Sequence, residues 1–193
     1  MTGLVTFLLL LWRKQRTQFE ELEKEHEEFE VEESRLFNFL HELGESLYVD
    51  QPIQKIQERI VDGVTSVVQA GSGALYKIDK NGTALIPAYQ SAGCPPLVAI
   101  PEEIASQGET NPKAISSYVK LQHVLYGHGM IGEYFKKKKP VSIARIEREP
   151  EFLNNGCIPS QRDRGAMIAP LYYGKKPLGV LIVVTAKASH SFT

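Results

Sequence analysis

Apolar residues recur at steps of three and four from Phe19 onward. With Phe19 as position a, Phe19, Leu22, His26, Phe29, Glu33, Leu36, Leu40, Leu43 and Leu47 alternate between a and d. This is the seam of a coiled coil, with polar residues at two a positions, His26 and Glu33. The flanks change character along it. In the first half the e and g positions are Glu23, Glu25, Glu30 and Glu32, and Glu20, Glu21, Glu27 and Glu28 enlarge the acidic block. In a parallel homodimer Glu25 of one chain faces Glu30 of the other, so like charges meet where pairs usually attract. In the second half e and g become Phe37, Phe39, Gly44 and Ser46. That stripe is too wide for a two-stranded seam and suits burial against more than one neighbour. The pattern predicts a long signalling helix over residues 13–50 that dimerises, firm in its second half and easily unzipped where the glutamates crowd. A solvated acidic helix that happens to be periodic is the plainer alternative.

Ahead of it, "GLVTFLLLLWRKQR" (Gly3 to Arg16) is apolar up to Trp12 and basic immediately after. A helix over Thr2–Trp12 at about 1.5 Å per residue spans roughly half of a ~30 Å hydrocarbon core. A signal peptide carries its charge before the apolar run and a small-residue cleavage site after it, the reverse of this order. Trp followed by Arg and Lys marks the cytoplasmic end of a membrane span. Residues 1–12 therefore read as the C-terminal half of a membrane anchor, with Met1 an internal or misassigned start, and the alternative is an amphipathic or unstructured apolar tail. The anchor reading places the chain at the inner membrane with its globular part in the cytoplasm.

Beyond Asp50 the period alternates between helix and strand. Pro52 suits a first helical turn, Ile53, Ile56, Ile60, Val64 and Val67 form one apolar face, and Gly71 and Gly73 are the expected stop. "GALYKID" (73–79) alternates as a strand, "KNG" (80–82) signals a hairpin turn, and "TALIPAYQS" (83–91) is the return strand. Asn111 and Pro112 open a helix with Ile115, Tyr118 and Val119 inward. "YGHGMIGEYFKKKKP" (126–140) is a glycine-rich loop feeding a short helix, and "VSIARI" (141–146) reads as a strand. "AMIAPLYYGKKPLGVLIVVTA" (166–186) is two strands about a Gly-Lys-Lys turn; the second is apolar on both faces and belongs at the centre of a sheet. The fold class is α+β: a mainly antiparallel central sheet flanked by helices and preceded by the long coiled-coil helix.

Composition narrows the chemistry. With 193 residues, 42% of them hydrophobic, and a net charge of −1, there is enough apolar material for one core and no global pull toward nucleic acid. Cys94 and Cys157 make neither a disulfide framework nor a metal site by spacing and point to a reducing compartment.

Gly129-Met-Ile-Gly-Glu-Tyr-Phe followed by Lys139-Pro-Val, Pro170-Leu, and Pro177-Leu-Gly-Val-Leu with Gly179 central resemble the motifs of GAF domains, a small-molecule sensory fold. The resemblance covers roughly residues 50–193. "AGCPPL" (92–97) is similar to GAF regions ahead of bacterial type 2C-like serine/threonine phosphatases that regulate sigma-factor partner switching. In the family a "F-(T/S)-x-x-D" start opens a final helix leading to an output domain; the chain stops at Phe192-Thr193, so the resemblance implies a missing terminal helix and output domain. The implied division is an anchor (1–12), a signalling helix (13–50) and a GAF-like sensory domain (51–193).

No Walker loop, H-E-x-x-H or G-x-S-x-G is present, so no enzyme is expected, and no metal or certain cofactor either. Cys94 and Cys157 do not reproduce the cysteine pattern of the GAF-like methionine sulfoxide reductases. His123 and His128 flank the glycine-rich loop and are read as loop residues rather than ligands. Lys136–Lys139, with Lys175 and Lys176, form a basic cluster suited to a helix C-terminus, or to anionic lipid if a membrane lies close. GAF geometry implies an unidentified small ligand between the sheet face and the segment after the second strand, for which the candidate lining is Tyr76, Tyr89, His123, Tyr126, Met130, Ile143, Arg145 and Met167. The expected function is a membrane-tethered, homodimeric sensory module regulating an output domain, with a phosphatase favoured over a histidine kinase or diguanylate cyclase. The rivals are a ligand-free dimerisation scaffold and an enzyme using a reactive thiol.

Overall fold

Residues 24, 26, 29–48, 51–155 and 158–185 are described in the computed structural model. The chain divides into two compact units, Met1–Glu42 and Leu43–Thr193. Residues 29–48 are helical (α1). In the first unit the seam positions Phe29, Leu36 and Leu40 are 65%, 45% and 55% exposed, and Glu33 and His26 are exposed too. Phe37 stacks on His41 one turn away. In the second unit Leu43 is half-buried and Leu47 exposed, whereas Ser46 is buried and accepts a hydrogen bond from the Arg59 guanidinium. Phe19, Leu22 and the apolar run at 1–12 lie outside the described residues. Among the described residues no helix is long and apolar enough to cross a membrane.

The second unit continues with α2 (Ile53–Val67), β1 (Ser72–Ile78), β2 (Ala84–Gln90), α3 (Glu102–Thr110), α4 (Pro112–Leu121), β3 (Val124–Leu125), α5 (Gly129–Lys137), β4 (Val141–Ile143), a 3-10 turn at Ile146–Arg148, α6 (Pro150–Asn155), a second 3-10 turn at Pro159–Gln161, β5 (Ala166–Tyr173) and β6 (Lys176–Val184). The strands form a six-stranded sheet in the order β3-β2-β1-β6-β5-β4, and every pairing is antiparallel. As its two-sided apolarity demands, β6 lies inside the sheet, between β1 and β5. Its inward residues Val180, Ile182 and Val184 are fully buried beside Ala74, Tyr76 and Ile168, beneath a layer that includes Val119 of α4 and Ile131 and Phe135 of α5. On the other face α2 lies across β1, β2 and β6.

Two motif glycines are explained by close approach. A Cβ on Gly132 would stand 2.2 Å from the Leu125 carbonyl, where α5 presses on β3. One on Gly179 would stand 2.1 Å from the Tyr76 carbonyl, across the β1–β6 pairing. No side chain fits at either distance.

Several expectations need correction. α2 ends at Val67, before the glycines; Gln69 makes the left-handed reversal with φ 52°, and Gly73 lies within β1, its would-be Cβ 3.0 Å from the Val61 side chain. Val61, off the expected stripe, is the buried residue of α2, and Ile53 is 57% exposed. The strand expected over 141–146 stops at Ile143, because the Ile146 N–H turns to the Arg164 carbonyl (2.8 Å) and its side chain enters the core. α3, α6 and both 3-10 turns were not expected. Asn111 caps α4 as read, its side chain accepting from the Lys113 N–H at 3.1 Å.

Candidate functional site

A strap of chain, residues 91–100, crosses from β2 to α3 and is fastened along its length by side chains. The Gln90 amide donates to the carbonyls of Cys94 (3.0 Å) and Pro95 (3.1 Å). Gln161, fully buried, donates from one nitrogen to Pro96 O (2.8 Å) and Val98 O (3.0 Å), and its oxygen accepts from Ile158 N–H (2.9 Å). Glu151 accepts from Ala99 N–H at 3.0 Å with one oxygen and from Met130 N–H at 2.6 Å with the other. That second bond places a carboxylate at the N-terminus of α5, where the helix dipole favours it. Leu97, Val98 and Ile100 anchor the strap in the core between these fastenings.

Between the strap, the end of β2 and α4 lies a cavity of about 860 Å³. The size falls in the ~300–1,000 Å³ range of small-molecule sites. Pro87, Pro96, Ile115, Val119 and Ile158 make it apolar; Tyr89, Gln90, Ser116 and Ser160 add polar groups. Of the described lining residues Lys120 alone is charged at neutral pH. Cys94 faces the same space, but burial pushes its thiol up to about 11, so it stays protonated at neutral pH and does not supply a thiolate. Its sulfur lies 3.6 Å from the Pro95 carbonyl as a donor.

Of the residues read from sequence as pocket lining, Tyr89 lines this cavity. Its hydroxyl stands 3.4 Å from both oxygens of Asp62, and partial burial followed by that carboxylate raises its pKa. Tyr76, Met130 and Ile143 are buried in the core. Burial, with Cys94 and Glu151 adding to it, raises the Tyr76 phenol far above its ordinary range. Tyr126 packs on Phe135 with ring centroids 4.9 Å apart, and its oxygen is buried without a hydrogen-bond partner among the described residues. Met167 is half-buried, and His123 and Arg145 are exposed; Arg145 pairs with Glu147 (3.6 Å) and Asp163 (3.4 Å). Among the described residues no cluster of His, Cys, Asp and Glu is fit to hold a metal. Cys157 lies outside the described residues. Sequence reading missed Gln161, Glu151, Ile115 and Lys120; only the periodicity of α4 pointed at Ile115, and it was read as core.

The six-stranded antiparallel sheet, with α2 on one face and α4 and α5 on the other, carries the motif glycines Gly132 and Gly179 at its closest approaches. The GAF domain family model matches residues 52–193, and the chain belongs to that family. Comparison with curated proteins found no match. The GAF domain of a phosphoenolpyruvate-protein phosphotransferase from Coxiella burnetii is similar at TM-score 0.57 and 14% identity, covering 83% of this chain and 82% of that one. Its Acinetobacter counterpart is similar at TM-score 0.52 and 13% identity, over 81% and 80%. An A. aeolicus GAF domain in an inactive state gives TM-score 0.52 and 15% identity, over 84% and 83%. At these identities the likeness is one of fold.

Proposed function

We propose that the chain is the input module of a signalling protein, in which a small molecule in the cavity beside the strap biases the helix 13–50 of a homodimer and so an output domain. The observation that carries this reading is the cavity itself: it is large enough for a small metabolite, and its strap is held by side chains from α6, the Pro159–Gln161 turn and β2. With Lys120 its only charged described lining residue, the cavity suits neutral or singly anionic ligands with an apolar body. The output favoured by the "AGCPPL" resemblance is a type 2C-like serine/threonine phosphatase, ahead of a histidine kinase or diguanylate cyclase, and the apolar run before Trp12 tethers the module to the inner membrane. The module has no catalytic role of its own in this reading.

Native mass spectrometry on the full chain in detergent tests it. A dimer is expected, carrying extra mass that is lost on denaturation. Ser116→Trp, which fills the cavity from an exposed position on α4, should abolish that mass without abolishing folding. A bare dimer that no small molecule in a metabolite library stabilises against heat supports the second reading, a ligand-free dimerisation scaffold. The exposed Phe29, Leu36 and Leu40 of α1 favour that alternative, since they offer a dimer face that needs no ligand.

A further inference from the structure

One end of the sheet gathers cations from separate segments. Lys77 lies opposite Gly179 and Tyr173 opposite Lys176, so the β1–β2 turn and the β5–β6 turn share that end. β3 brings Leu125 to it, paired with Ala84. α5 finishes there as well: Phe135 stacks on Tyr172 with centroids 5.8 Å apart, and the Tyr172 hydroxyl donates to the Phe135 carbonyl at 3.5 Å. The run Lys136–Lys139 is thereby set beside Lys175 and Lys176, with Lys80 on the neighbouring turn. All are exposed, and none is ion-paired among the described residues.

The α5 dipole accounts for Lys136 and Lys137, and Lys137 also lies over the Tyr134 ring at 4.3 Å. It does not account for Lys139, for Lys138 beyond the helix in the left-handed region, or for the turn lysines. Acidic compensation is slight. Asp79 is committed to its own turn, accepting from the N–H groups of Thr83 (2.8 Å) and Ala84 (3.1 Å), and Glu133 stands one helical turn back. Among the lysines the surface exposes Tyr173 at 79%, Leu125 at 51% and Leu178 at 47%.

We propose that this end of the domain docks on an anionic phospholipid surface. Lysines on long stems reach headgroup phosphates, while an amphipathic tyrosine and two leucines seat in the interfacial layer beneath. A nucleic-acid backbone would satisfy the charges but leave the leucines without a place. This interaction is independent of the cavity and of any ligand.

The full chain is mixed with vesicles of phosphatidylcholine, and with vesicles in which phosphatidylglycerol replaces part of it, and bound protein is read by sedimentation. Every variant carries the same N-terminal apolar run, so only differences between variants are read. Since each lysine near such a surface raises partitioning about five-fold, Lys175→Glu with Lys176→Glu should weaken binding to the anionic vesicles by at least about 25-fold and leave binding to neutral ones unchanged. Lys175→Gln with Lys176→Gln, gentler on folding, should show a smaller loss in the same direction. A charge-matched control, Lys55→Glu with Lys113→Glu, should lose far less. Equal losses for the control and the turn variant overturn the proposal. So does a turn variant that keeps vesicle binding, or one that loses binding to duplex DNA alone.

Discussion

Gln161 and Glu151 fasten the same strap with opposite chemistry, one as donor to two carbonyls and the other as acceptor from two N–H groups. Leucine at position 161 would take the amide donor away from Pro96 O and Val98 O, carbonyls of two buried residues. Gln161→Leu should therefore cost roughly 2–4 kcal/mol in urea unfolding, well beyond the loss of one exposed bond. Gln161→Glu should fare no better, because a carboxylate would then face two carbonyl oxygens. A loss below about 0.5 kcal/mol in both would mean that the strap is held elsewhere. Neither residue was legible in the sequence. "PSQRDRG" has no period and no motif, and a polar residue buried by long-range bonds leaves no local trace. Tyr89 was named from GAF geometry rather than from its own strand, and it lines the cavity. His123 and Arg145, named with it, lie on the surface, where Arg145 pairs with Glu147 and Asp163.

Elements were read best where a period ran long enough to exclude its rival. β6, apolar at consecutive positions and bounded by a turn, had to be central. The β1–β2 hairpin was legible from Asn81-Gly82, and Gly82 takes the positive φ (75°) that such a turn needs. α3 escaped because Glu102–Thr110 has a weak apolar stripe and contains Gly108, and the 146–148 turn escaped because one long-range hydrogen bond, from Ile146 to Arg164, ends a strand that local propensity would have continued. For the acidic helix the expectation is electrostatic. Screening should relieve the Glu25–Glu30 repulsion, so dimer affinity should rise between low and high salt, measured by analytical ultracentrifugation. An affinity independent of salt, or falling with it, would remove glutamate crowding as the source of weakness.

At the scale of the molecule, burial of acidic groups in their neutral form makes stability sensitive to alkali. The Cys94 thiol is held near 11 in the fold against an ordinary 9.0, and Tyr76 is raised by burial in the same sense. An unfolded chain releases the Cys94 proton first, so the stability this thiol contributes is complete below pH 9 and drains away as pH climbs toward 11, on the order of 2 kcal/mol in all. Cys94→Ala should flatten the fall in unfolding free energy over that interval, and an unchanged slope would assign the alkaline loss to other groups.

The pairing of Ser72 with Val184, with the Gly71 N–H bonded to the Val184 carbonyl at 2.9 Å, brings the chain into the sheet and out of it on adjacent strands. Everything between those two residues is a detour that returns to its starting point. The two ends of this excursion stand one strand spacing apart, about 5 Å, and α2, which lies across β1, β2 and β6, leads into the first of them.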